Sequence, residues 1–184
     1  MKSTNKTLDV RKLTYLGILT AIVVVLQLIG NYVAIPIAGF GVSISLSLIP
    51  IVIASTLHGP SSGAWLGFVS AMVILIFNGA TFFLGLNPFG TIVTVIVKGV
   101  ASGLVAGIVY KILSKINKYL GVVCAAAICP IVNTGIFFIG GLIFFFDVLP
   151  IIALSAVVNF SFEIVVNLIF SPTIVRITDL LRKK

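Results

Sequence analysis

Lys98 and Glu163 are charged residues set inside long apolar runs, and a charge in that setting demands a partner. Lys98 lies about ten residues, or about 15 Å of helix, from the start of its run at Pro88. Glu163 lies about twelve residues from the start of its own run at Ile151. Both positions fall near the middle of a bilayer, where an isolated ammonium or carboxylate is strongly disfavoured. The pair can serve as an ion pair that fixes helix packing, or as two poles of a site for a polar solute.

Their neighbours favour the second use. Thr91, Thr94 and Lys98 are spaced i, i+3, i+7 and share one helical face. Ser155, Asn159, Glu163 and Asn167 recur at every fourth residue and share another. Asn133 and Thr134 stand beside Pro130, where a kink is expected. Single hydroxyls and amides commonly bond between membrane helices. Lys98, Asn133, Asn159, Glu163 and Thr94 taken together point instead to recognition: the ammonium suits a carboxylate or phosphate, and the amides and carboxylate suit hydroxyls and amides. The connection 78–88 adds Asn78, Thr81 and Asn87, with Phe82 and Phe83 as an apolar cover.

No constellation for catalysis accompanies these groups. The sequence has no nucleophile with a base beside it, no His-Glu-x-x-His and no Walker-type phosphate loop. His58 is the single histidine, and the two cysteines, Cys124 and Cys129, lie in an apolar run without ligating neighbours. Neither an enzyme, a cofactor nor a metal is expected, and energy for uphill transport would have to come from a partner or an ion gradient.

The elements that position these residues follow from composition. Of 184 residues, 60% are hydrophobic and 9% charged, against about 25% charged in a soluble domain. The mean hydropathy is +1.30. Each spanning helix takes roughly 20 apolar residues, so the length allows about six and leaves no room for a soluble domain. The expectation is one all-α membrane domain, 1–184, with helices at 13–30, 42–57, 61–77, 88–113, 119–146 and 151–181. Gly59-Pro60 marks a tight turn. The start of the second segment is irregular, because Ser43, Ser45 and Ser47 alternate with apolar residues.

The formal net charge of +8 does not indicate nucleic acid, because of where the charge lies. Lys2, Lys6, Arg11 and Lys12 precede the first segment; Lys111, Lys115 and Lys118 separate the fourth and fifth; Arg176, Arg182, Lys183 and Lys184 close the chain. The connections on the opposite side carry no Lys or Arg, so the basic side and both termini are assigned to the cytoplasm. The first apolar run is long for a signal peptide and is read as an uncleaved span of a multi-pass cell-membrane protein.

Small residues also recur at four-residue spacing. Gly59, Gly63, Gly67 and Ala71, and Gly99, Gly103 and Gly107, form ridges suited to close packing within the chain. Gly17 and Ala21 give the first segment a smooth face that another membrane protein could meet.

Several local strings resemble a known family. Leu48-Ile49-Pro50, then His58-Gly59-Pro60-Ser61-Ser62-Gly63-Ala64-Trp65-Leu66-Gly67, is similar to the second and third helices of the substrate-binding S components of energy-coupling factor vitamin transporters. Asn87-Pro88-Phe89-Gly90, Lys98-Gly99 and Pro130-Ile131-Val132-Asn133-Thr134-Gly135 look like strings in the same family. The resemblance implies a vitamin bound near the outer face by the last three helices, the first loop and the loop after the third helix. It implies that Gly17-x-x-x-Ala21, in place of the family's Ala-x-x-x-Ala, docks on a transmembrane coupling subunit. It also implies two partner ATPase subunits and delivery by toppling in the membrane. Among vitamins, pantothenate suits Lys98 with the amides; a pyridoxine-like compound or thiamine precursor would use Glu163, and riboflavin would ask for more stacking. Two other readings stand beside this one: a self-sufficient proton-coupled transporter built on Lys98 and Glu163, and a structural subunit in which the charges serve packing.

Overall fold

The computed structural model describes residues 10–32, 35–37, 40–42, 45–77 and 80–182. Helix α1 (Val10–Tyr32) is followed by an antiparallel pair of short strands, β1 (Ile35–Ile37) and β2 (Phe40–Val42), with Ile35 opposite Val42. Then come α2 (Leu48–His58), α3 (Pro60–Ile76), α4 (Thr81–Leu86), α5 (Pro88–Leu113), α6 (Lys118–Phe144), a turn of 3-10 helix (Phe146–Val148) and α7 (Leu149–Arg182). Four segments are long and apolar enough to cross a membrane: Lys12–Gly30, Pro88–Leu113, Lys118–Phe144 and Phe146–Leu180. Apolar side chains such as Ile18, Val25, Leu104, Ile108, Val157 and Ile169 face outward, as lipid requires.

The described residues are helical apart from one pair of three-residue strands, in keeping with the all-α expectation. One correction to that expectation arises before α2. The second helix begins at Leu48 rather than at 42, and its 11 residues rise only about 16 Å. The alternation of Ser43, Ser45 and Ser47 has a period of two, which does not sustain a helical face. Lys2, Lys6, Lys183, Lys184 and Asn78 lie outside the described residues, and the Arg11 and Arg182 side chains do too.

The centre of the molecule is a seam between α3 and α5. A Cβ built on Gly67 would overlap the Gly99 carbonyl, and one on Gly63 would overlap the Gly103 carbonyl. Gly107 meets Pro60 in the same way, and Gly99 also faces Ala71. The small-residue ridges therefore bring two backbones into contact over successive turns. Ser55 of α2 strengthens the seam by donating to the Gly103 carbonyl at 2.9 Å. Gly59, at φ 92°, makes the turn that returns α3 against α2, a conformation glycine adopts without strain. Gly67→Leu should therefore prevent this packing. A loss well beyond the about 1–3 kcal/mol of ordinary overpacking is expected, because backbone rather than side chain blocks the new group. It would be read as loss of the monodisperse peak in detergent.

Local chemistry fixes the other helices. Asn87 caps α5 by accepting from the Gly90 N–H at 2.9 Å, and Pro88 occupies the first turn where its missing donor is harmless. Asn117 caps α6 by accepting from Tyr119 and Leu120. In α7, Pro172 has no N–H for the Leu168 carbonyl, and the Ser171 hydroxyl donates to it at 2.8 Å instead. Lys118 at the start of α6 is ion-paired with Asp179 near the end of α7.

Candidate functional site

The polar site is built where α5, α6 and α7 meet. Glu163 on α7 is 1% exposed, so its carboxylate requires donors. Asn159, one turn earlier on the same helix, donates its amide at 2.9 Å. Asn133 on α6, three residues past Pro130, reaches both carboxylate oxygens, at 3.3 and 3.5 Å. The Ser45 hydroxyl, from the turn before α2, stands beside the same carboxylate as a further potential donor. Asn167 lies one turn further along α7 and donates to the Glu163 backbone carbonyl at 2.9 Å.

Lys98 on α5 feels the Glu163 charge but does not touch it. Among the described residues the ion pair within 4.0 Å is Lys118 with Asp179. The Lys98 ammonium instead stands 5.1 Å from the centre of the Phe137 ring, a cation–π contact. Phe137 meets Phe83 edge-on at 5.6 Å, and Phe83 meets Phe145 at 5.3 Å and Phe82 at 5.2 Å. Phe83, on the short helix α4, thus joins an aromatic wall that ends on the lysine.

Several polar atoms around this cluster have no partner among the described residues. They are the hydroxyls of Thr94 and Thr134 and the amide oxygens of Asn159 and Asn167. Thr94 is 5% exposed and packed against Gly140 of α6; Asn167 is 1% exposed. Buried polar groups are normally bonded, so unsatisfied ones at a cluster of charges are sites where a solute or water would bond. The arrangement supplies one positive pole, one negative pole, amide and hydroxyl groups and an aromatic wall. It suits selective binding of a small polar molecule.

The structure brings together Asn133, Asn159 and Glu163, sets Lys98 beside them on Phe137, and places Thr94 one turn away from Lys98 on α5. Asn87 is not brought to the cluster: its side-chain oxygen is used as the α5 cap. The Thr91 hydroxyl turns back to the Asn87 carbonyl at 2.8 Å and is likewise occupied. Gly17 and Ala21 are exposed on α1, with nothing within 4 Å of a Cβ built on Gly17. Ser45 and Phe137 are the residues that sequence reasoning missed. Phe137 lies about one turn from Asn133 on α6, a spacing that could have flagged it.

The long apolar helices are those of a membrane protein, and the buried, two-signed polar cluster among them suits binding of a polar solute. The family model of the ECF transporter, substrate-specific component, matches residues 11–176. The chain belongs to that family and is a substrate-specific component of membrane transport. Neither the curated proteins nor the solved structures compared with it gave a match.

Proposed function

We propose that this chain captures a small carboxylate-bearing vitamin, with pantothenate favoured, and presents it to an ATP-driven importer. Lys98 takes the ligand carboxylate; Glu163, Asn159, Asn133 and Thr94 take its hydroxyls and amide. The observation that carries the reading is the Lys98 ammonium held on Phe137 while Glu163 gathers its own donors. An ammonium used only for packing would be expected to close on the carboxylate.

In this reading the chain crosses the cell membrane six times as a single domain, with both termini in the cytoplasm. The 11 residues of α2 are too short to cross about 30 Å of hydrocarbon alone. The turn 45–47 and the hairpin before it complete that crossing. The polar cluster then lies near the midplane. Gly17 and Ala21 of α1 meet a transmembrane coupling subunit, and two ATPase subunits supply the energy. The chain itself performs no chemical conversion.

Purified from cells grown in rich medium and then denatured, the protein should release one small organic carboxylate in near-stoichiometric amount, read by mass spectrometry. Release of no small molecule would count against the reading. So would gradient-driven uptake by the chain alone in liposomes, which is the behaviour of a proton-coupled transporter.

A further inference from the structure

A second buried polar cluster lies between α1, α3 and the turn before α2, away from the residues assigned to the ligand. Gln27 on α1 is 0% exposed. Its amide oxygen accepts from the Ser47 hydroxyl at 2.7 Å and from the Ser70 hydroxyl at 2.9 Å. The two hydroxyls stand 3.0 Å apart. One carbonyl oxygen thus ties α1, α3 and the start of α2 to a single point.

The use made of Ser47 is informative. It occupies the N-cap position of α2, where a serine side chain ordinarily accepts from the first free N–H groups of its helix. Here it makes no such bond and adopts helical backbone angles. Its hydroxyl is directed to Gln27 instead. The first turn of α2 therefore lacks its local side-chain fastening and is fixed from outside, by a neighbouring helix on each side. The backbone of that turn is itself closed by Leu48 N–H to the Ser45 carbonyl at 3.2 Å and Ile51 N–H to the Ser47 carbonyl at 3.3 Å. Ser45 is carried on this turn, two residues before Ser47, with its hydroxyl beside the Glu163 carboxylate.

We propose that Gln27, Ser47 and Ser70 form a clamp that positions the turn 45–47, and through it holds Ser45 over Glu163 as a further member of the ligand site. The three clamp residues are positioning residues, since none touches Glu163. The proposal rests on the reading of Glu163 as part of that site, but its test requires no vitamin.

The probe is dicyclohexylcarbodiimide, an apolar reagent for carboxyl groups in membranes. It is applied to the full chain in lipid nanodiscs, and modification at Glu163 is followed by peptide mass spectrometry. Ser45→Ala should raise the rate at Glu163 by about fivefold, the effect of taking one donor away from the carboxylate. Gln27→Leu should raise it by a similar factor, and the double variant should label no faster than either single one. Labelling of Asp179 serves as the control for folding and should not change. An unchanged rate in Gln27→Leu, or effects that multiply in the double variant, would overturn the clamp. If Gln27→Leu also exposes Asp179, Ser47→Ala, which removes one hydroxyl, is judged by the same two criteria. Loss of the clamp in this assay would leave the mass-spectrometric test of vitamin binding untouched, and the reverse also holds.

Discussion

Lys98→Met combined with Glu163→Gln should leave the bundle folded and lower affinity for a carboxylate ligand by about 100- to 1,000-fold. The two substitutions remove one charge of each sign, so no uncompensated charge is left in the membrane. Gln retains an oxygen that can accept from Asn159, which bonds the native carboxylate at 2.9 Å. Met occupies much of the volume of the lysine stem and keeps contact with the Phe137 ring. What is lost is the pole that would pair with the ligand. The measurement is equilibrium binding of labelled pantothenate, alongside thermal unfolding in detergent. Unaltered binding in a folded double variant would assign both charges to packing. Each single variant should be less stable than the double, because each leaves the other charge in the bundle without its countercharge.

Gly17→Leu with Ala21→Leu should separate binding from transport. Both residues are exposed, and a Cβ built on Gly17 has nothing within 4 Å among the described residues. Leucine is also the better helix former, by roughly 0.8 kcal/mol relative to glycine. Ligand affinity of the isolated protein and its thermal stability should therefore be kept or slightly raised. Uptake by cells containing the coupling subunits should fall by more than tenfold, because two leucines hold apart the backbones that small residues allow to meet. The readouts are vitamin uptake and co-purification of the coupling subunit. Normal uptake would remove α1 from the docking role.

The sequence makes some of this architecture legible and hides the rest for definable reasons. The seam between α3 and α5 can be read from four-residue spacing, because backbone contact admits only residues without a larger side chain. Asn87-Pro88 announces the start of α5, since a cap and a proline state their preference locally. Asn159 and Glu163 share a face at four-residue spacing, and the bond between them follows from that period. Other features depend on distant residues. Gln27 finds Ser47 and Ser70 across 20 and 43 positions, and no local pattern connects them. The Ser47 hydroxyl, at the start of α2, is likewise committed to residues on α1 and α3. Asn87 carries residue chemistry suited to a ligand, yet its oxygen is committed to the first turn of α5. Lys98 shows the same limit: its type and depth are plain in the sequence, while its resting place on Phe137 is set by the packing of α5 against α6.

The glycine seam also divides the candidate site by stiffness. Thr94 and Lys98 hang from α5, whose backbone is keyed into α3 with no compressible layer between them. Glu163 and Asn159 hang from α7, a helix of 34 residues that contains no glycine and so brings no bare backbone of its own to its neighbours. The candidate site therefore has a fixed jaw and an adjustable one. Solutes that differ in length should shift α7 while the lysine jaw stays in place, so related molecules would be sorted by the carboxylate they present to Lys98 more strictly than by their size.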